Sequence, residues 1–143
     1  MGWMLLIFVG STDVLSAEQT SRFLVPFLLW LGPQISIATI TTIHFALRKL
    51  GHLTEYAILA ALLWCALRSM LISMRSIAIA GLVFFASAVF AASDEFHQSF
   101  VPVRTASVKD AMIDICGAAI ALALCVALRR RRRAARRWDI QRR

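Results

Sequence analysis

The chain has 143 residues, of which 59% are hydrophobic and 17% charged, and its formal net charge is +8. This length allows one domain. Three apolar runs, at 57–67, 77–92 and 111–128, carry no charge except Asp114. Helices in a soluble protein of this size need polar faces, so the composition excludes a soluble globular domain. We predict an all-α fold, a polytopic transmembrane helical bundle with three clear spans and a short N-terminal partial span.

The N-terminal third begins with an apolar run, residues 1–9, that is too short to cross a bilayer and lacks the positive start of a secretory signal. We expect it to be either the end of a transmembrane helix that begins upstream or a short helix that reaches partway. Residues 11–22 are polar and predict a loop. Residues 23–32 are apolar, contain Pro26 and precede a second proline, which is typical of an interfacial or re-entrant segment.

The first two spans are predicted from the next two apolar runs. Residues 34–42 are rich in Ile and Thr, but an isolated strand cannot persist in lipid. They are therefore predicted to lead into a helix over about 42–68. A short loop at 68–76 carries two arginines, and a second helix is predicted over 77–96.

The last span is delimited by local signals. Pro102 cannot continue a helix, so residues 100–106 are predicted to form a turn. Ser107, with Asp110 three residues later, is typical of a capping box at a helix start. The helix is predicted to run from there to about Arg129.

The positive charge is concentrated at the C-terminus. Residues 129–143 hold nine arginines and one aspartate, which accounts for the entire net charge of +8. A basic tail directly after an apolar helix is predicted to be cytoplasmic and to face anionic membrane lipid, so we predict no nucleic-acid partner. The chain is therefore divided into a membrane domain at 3–127 and a basic cytoplasmic tail at 129–143. Since spans alternate, the loop at 68–76 is then cytoplasmic and residues 93–109 lie at the outer face.

Two polar stretches interrupt this apolar chain, at 48–56 and 93–117, and both are predicted to lie at the outer face. The second holds four of the chain's eight acids: Asp94, Glu95, Asp110 and Asp114. Ionisable residues at membrane depth are costly and indicate function by default. Ion pairs and helix capping explain the same residues without any chemistry, so a purely structural role stays open.

The spacing within these stretches places side chains on shared helix faces. Three residues of the first stretch are spaced i, i+3, i+4: His52, Glu55 and Tyr56. Three residues of the second stretch repeat this spacing: Asp94, His97 and Gln98. In the last helix Asp110 and Asp114 are one turn apart, and the small residues Gly117 and Ala121 continue their stripe. Small residues allow a neighbouring helix to approach closely.

Three functions are compatible with this pattern. A metal site would use imidazole and carboxylate ligands, and a hydrolase or transferase would use a His as general base oriented by a carboxylate. The candidates for both are His52, Glu55, Asp94 and His97. No dedicated metal motif and no Ser nucleophile in a strained turn is evident, so we assign neither a metal nor a catalytic residue.

We favour the third function, a binding module that holds an anionic or glycan headgroup at the outer face. Its predicted binding residues are Arg48, Tyr56, Glu95, Gln98, Arg104, Lys109, Asp110 and Asp114. The sequence identifies no cofactor and does not determine an oligomeric state.

The segment RKLGHLTEYAILAALL, followed about thirty residues later by DEFHQSFVPVRTASVKDAMIDICGA, resembles the VanZ-like family of bacterial membrane proteins over residues 3–127. The matching positions are Arg48, Lys49, His52, Glu55, Tyr56, Asp94, Glu95, His97, Gln98, Pro102, Arg104, Ser107, Asp110, Asp114 and Gly117. Two features depart from the family. Val103 stands where the family usually has Gly, and Val disfavours positive φ. The first helix is abbreviated.

The family is named after a member of a teicoplanin-resistance cluster. The resemblance therefore implies a multi-pass protein of the cell membrane, with membrane lipid and a cell-wall precursor or glycopeptide as partners, and a link to antibiotic resistance. It implies no defined reaction.

Overall fold

The structure, a computed structural model, describes residues 2–4, 7, 17–32, 34–100 and 107–142. Four helices follow one another: α1 (Ala17–Leu31), α2 (Ile37–Met70), α3 (Ser76–Gln98) and α4 (Val108–Gln141). Residues 2–4 and 7 are also helical. The described ranges contain no strand, which confirms the predicted all-α class.

Three of these helices are long and apolar enough to cross a membrane: Ile37–Met70, Ser76–Gln98 and the Val108–Arg136 part of α4. They correspond to the three predicted spans. The 34 residues of α2 extend about 51 Å at 1.5 Å per residue. The hydrocarbon core is only about 30 Å thick, so α2 projects beyond it.

The helix α1 begins earlier than the sequence pattern indicates. Residues 17–22 belong to α1, so the predicted loop is wrong there, and residues 11–16 lie outside the described residues. The segment at 17–22 is polar but contains no Gly or Pro, and nothing in it breaks a helix. Pro26 lies inside α1. The interfacial or re-entrant placement of this segment stays a prediction.

The start of α2 is set by its N-cap. The Ser36 hydroxyl accepts a hydrogen bond from the backbone N–H of Thr39 at 3.2 Å, which satisfies one of the free donors at the helix start. The hydroxyls of Thr41 and Thr42 donate to carbonyls one turn earlier, at 2.9 Å each. The Ile- and Thr-rich segment is therefore part of the helix from Ile37 onward, earlier than the predicted start near residue 42.

The helix α4 extends through most of the basic tail, to Gln141. The predicted end at Arg129 is therefore wrong. Residues 129–141 contain mostly Arg and Ala, which are strong helix formers, and no Gly or Pro. The change from apolar to basic side chains therefore does not coincide with the end of the helix.

The helices α2 and α4 run in the same direction and pack closely. Their contacts ascend together, from Lys49 with Asp110 to Leu53 with Gly117. A Cβ added at Gly117 would lie 2.2 Å from the carbonyl oxygen of Leu53, so only glycine fits this contact. The stripe of small residues predicted on α4 is thus where the helices meet.

The core below this contact is apolar and built from all three long helices. It includes Ala60, Trp64, Ile79, Val83, Ala118 and Leu122. At the level of Tyr56 the N-terminal segment completes the packing. Ile7 is 1% exposed and packs with Tyr56, Leu59 and Ala91. The indole Nε1 of Trp3 donates to the carbonyl of Glu55 at 3.0 Å.

Candidate functional site

Polar side chains from three helices are buried together at the end of the bundle where α4 begins. The described residues include seven buried polar or charged side chains, and six of them lie here. Together with the fully buried Tyr56 they form what we call the polar site: His52, Tyr56, Asp94, Glu95, Gln98, Asp110 and Asp114. Five of these residues are candidates from the stretch 93–117 and lie on two different helices, and the fold brings them to His52 and Tyr56 of α2.

The centre of the polar site is a pair formed by His52 and Asp114. The Nδ1 of His52 lies 3.2 Å from Oδ1 of Asp114. The two side chains are 8% and 0% exposed. The glycine contact at residue 117 lies one turn further along α4 and brings α2 close enough for this pair to form. An imidazole held through Nδ1 by a carboxylate presents Nε2 to a ligand as acceptor or base.

A second group of ion pairs lies next to the His52–Asp114 pair, at the start of α4. Both Arg48 and Lys49 contact the carboxylate of Asp110, and Nη2 of Arg48 lies 3.6 Å from Oδ2. Asp110 itself is 2% exposed. Lys49 also lies over the ring of Phe45, 4.9 Å from its centroid. The carboxylate of Asp110 is therefore an ion-pair partner from α4 for two cations of α2.

The start of α4 is held by an acid from another helix. Ser107 is the N-cap, as predicted, but its hydroxyl makes no capping hydrogen bond with the described backbone. The backbone N–H of Ser107 instead donates to Oε2 of Glu95 at 2.7 Å. In a capping box the acid three residues into the helix accepts this bond. The predicted capping role of Asp110 is wrong because Glu95 of α3 takes it and Asp110 binds the two cations.

The third part of the polar site lies between α2 and α3. Gln98 donates from Nε2 to Oδ2 of Asp94 at 3.1 Å, and both are buried. The ring of Tyr56 lies 6.0 Å from that of Phe90. Tyr56 is close enough to Asp94 and Asp114 for their charges to act on it.

Several buried atoms of the polar site have no hydrogen-bond partner among the described residues. They include the hydroxyl of Tyr56, the Oδ2 of Asp114 and the Oε1 of Glu95. Buried polar groups in folded proteins are nearly always satisfied. The polar site therefore has both a donor and an acceptor available to a bound molecule.

The other predicted residues lie around this site. Glu55 and His97 are half-buried on α2 and α3, and Lys109 is exposed in the first turn of α4. Arg104, with Pro102 and Val103, lies outside the described residues. Among the described residues, no three His, Cys, Asp or Glu side chains come together as a metal site. Lys49 was not among the binding residues predicted from the sequence. Its position could have identified it, because it follows Arg48 in an apolar chain where a cation needs an acidic partner.

A family model described as VanZ/LLP1 matches residues 1–129. No curated protein and no solved structure matches the chain. The matched range contains every residue of the polar site and ends at the first arginine of the basic tail.

Proposed function

The chain belongs to the VanZ/LLP1 family, and we propose that this membrane protein binds the polar headgroup of a cell-envelope component, such as a cell-wall precursor, in the polar site. The observation that carries the proposal is a pair of buried groups without a partner among the described residues, the Tyr56 hydroxyl and Asp114 Oδ2. A ligand hydroxyl can donate to the carboxylate and accept from the phenol.

Energetics favour a ligand over a purely structural network. A buried polar group left without a partner costs about 1–3 kcal/mol, and at membrane depth this cost persists only where it serves a function. A structural network needs each of its members to be satisfied by the protein. The Arg48–Lys49–Asp110 cluster fits a structural role, whereas Tyr56 and Asp114 fit a binding role.

The charge balance favours a glycan over a phosphate in the centre of the site. Asp94, Glu95 and Asp114 are acids. Two of the nearby cations, Arg48 and Lys49, already contact Asp110, and Lys109 is exposed at the start of α4. Carboxylates accept hydrogen bonds from sugar hydroxyls, but they repel an anion. An anionic part of the same headgroup would lie nearer to Arg48, which is partly exposed.

Ligand retention by Tyr56→Phe tests this proposal. We would purify the protein in a mild detergent and identify the co-purified envelope components by mass spectrometry. Removing the phenol hydroxyl loses one hydrogen bond, and retention of a glycan-bearing lipid should fall about two- to tenfold. Thr54→Val is the control, because Thr54 is exposed on the same helix and its hydroxyl donates to the carbonyl of Leu50. Equal retention by both variants, or retention of an anionic lipid without sugar, contradicts the glycan proposal.

The proposal includes an orientation, with the polar site at the outer face of the cell membrane and the basic tail in the cytoplasm. It rests on the preference of cationic segments for the cytoplasmic side. On a background without native cysteines, Ser99→Cys should react with an impermeant maleimide from outside. Ser73→Cys, in the turn between α2 and α3, should react only after permeabilisation. The reverse pattern contradicts the orientation.

A second candidate function, a hydrolase or transferase acting on a lipid-linked envelope substrate, is favoured by the His52–Asp114 pair. Nε2 of His52 would accept a proton from a substrate hydroxyl or water, and Asp114 would hold the ring and stabilise its charged form. Replacing His52 with Gln keeps hydrogen bonding but removes the proton chemistry. An enzyme loses turnover in His52→Gln, whereas a binding protein keeps most of its ligand.

The link to teicoplanin-type glycopeptide resistance belongs to the same proposal. A protein that holds a cell-wall precursor at the outer face changes what a glycopeptide can reach. Expression of the wild-type chain in a susceptible host should raise the inhibitory concentration of teicoplanin, and expression of Asp114→Asn at the same level should not. No difference between the two contradicts the link.

A further inference from the structure

A concave surface lies at the end of the bundle opposite the polar site, where α3 begins and α4 approaches the basic tail. It is an open groove of about 440 Å³, lined by Ile77 and Ala80 of α3 and by Leu122, Val126, Ala127 and Arg130 of α4. This volume falls within the roughly 300–1,000 Å³ of small-molecule sites. The groove is apolar along its length and has a cation at its end.

The distance of Arg130 from the start of α4 matches the thickness of a bilayer. Arg130 follows Val108 by 22 residues, which is about 33 Å along a helix. The hydrocarbon core is about 30 Å thick. With the start of α4 at one membrane surface, Arg130 lies at the level of the phosphates of the other.

The arginines around the groove have no acidic ion-pair partner among the described residues. Among residues 34–100 and 107–142, no carboxylate forms an ion pair with the arginines at 129–133. Arg68 and Arg133 act on Arg129 by charge repulsion. The guanidinium of Arg68 also donates to the carbonyl of Met74 at 2.7 Å, and this hydrogen bond stabilises the turn after α2. Arg130 and Arg133, three residues apart, share the face of α4 that continues the groove.

We propose that this groove is a binding site for one anionic phospholipid of the leaflet on the side of the basic tail. An acyl chain lies along Ala80, Val126 and Ala127, and the phosphate is held by Arg130 and Arg133. Guanidinium groups bind phosphate oxygens through paired hydrogen bonds. An anionic headgroup neutralises these arginines, whereas a zwitterionic headgroup adds a cation to them. The site lies at the far end of the bundle from the polar site, so it stands or falls independently of the proposed function.

Lipid retention in native mass spectrometry tests the phosphate contacts. The protein is reconstituted in nanodiscs of equal parts phosphatidylglycerol and phosphatidylcholine, released, and its retained lipids are counted. The wild-type chain should retain phosphatidylglycerol. In Arg130→Gln, retention should fall about fivefold, since one arginine near a membrane surface contributes about 1 kcal/mol. Arg132→Gln makes the same change on the opposite face of the helix and should have little effect. Equal losses in the two variants would show general attraction by the tail and overturn the site.

Filling the groove tests the acyl-chain contact. Ala127→Phe places a ring in the groove and should displace the lipid without changing the charge. Leu128→Phe adds a ring on the outward side of α4 and should leave retention as in the wild type. Unchanged retention in Ala127→Phe, or retention of phosphatidylcholine in place of phosphatidylglycerol by the wild-type chain, overturns the proposal.

Discussion

Replacement of Gly117 with Ala tests how α2 and α4 bring the polar site together. A Cβ at this position would lie 2.2 Å from the carbonyl oxygen of Leu53 and 3.1 Å from its Cα. Both are backbone atoms, so no side chain can move aside to make room. The helices must separate by about 1 Å before ordinary van der Waals contact returns.

The expected destabilisation follows from two opposing effects. Replacing Gly with Ala inside a helix stabilises it by about 0.5–1 kcal/mol. Overpacking costs about 1–3 kcal/mol, and contact with a rigid backbone places Gly117→Ala at the upper end of this range. We therefore expect a net loss of about 2 kcal/mol. Gly81 and Gly51 are helical and have nothing within 4 Å of an added Cβ, so Gly81→Ala and Gly51→Ala should be stabilising.

The assay is unfolding in mixed micelles with increasing sodium dodecyl sulfate, followed by tryptophan fluorescence. Gly117→Ala should unfold at a lower detergent fraction than the wild type, and Gly81→Ala at a higher one. Helix separation also lengthens the 3.2 Å contact between His52 and Asp114, so ligand retention should fall as well. If Gly117→Ala is as stable as Gly81→Ala, the close approach of α2 and α4 is wrong.

Three further substitutions are measured by the same unfolding assay. Trp3→Phe removes the hydrogen bond to the carbonyl of Glu55 and should cost about 0.5–1.5 kcal/mol; no loss would mean that the N-terminal segment does not pack on α2. Glu95→Ala removes the acceptor for the Ser107 N–H and should lower the free energy of unfolding by about 1.5–3 kcal/mol. Glu95→Gln keeps an acceptor and should have a smaller effect. Equal losses of stability in the two variants would contradict the capping role of Glu95. Asp110→Asn leaves two partly exposed cations without their carboxylate and should lower the free energy of unfolding by about 1–3 kcal/mol. Unchanged stability would instead favour the capping role that the sequence indicates for Asp110.

The helical membrane fold could be predicted from the sequence because the apolar runs are long and almost free of charge. Their length alone identifies α2, α3 and α4 as spans. The sequence pattern does not predict that residues 17–22 and residues 130–141 are helical, and both differences have the same cause. A change of polarity marks the membrane surface, but a helix ends only where propensity or a cap ends it.

The side-chain pairs within the polar site were harder to predict from the sequence. Spacing of i, i+4 identifies which side chains share a face of one helix, and it correctly grouped Asp94 with Gln98. The spacing within one helix does not show which of its faces packs against which face of a neighbouring helix. The pairing of His52 with Asp114 and the capping of α4 by Glu95 depend on the register between helices, which the contact at Gly117 sets.

The central claim is that the polar site holds an envelope headgroup through Asp114, and the most direct measurement is ligand retention by Asp114→Asn. The control is Asp139→Asn, which makes the same change at an exposed position of α4. We predict that both variants insert and unfold like the wild type, and that only Asp114→Asn loses the co-purified glycan-bearing lipid. Retention by Asp114→Asn at the wild-type ratio, or its failure to accumulate as a folded protein, contradicts the account and assigns Asp114 to the structure of the bundle.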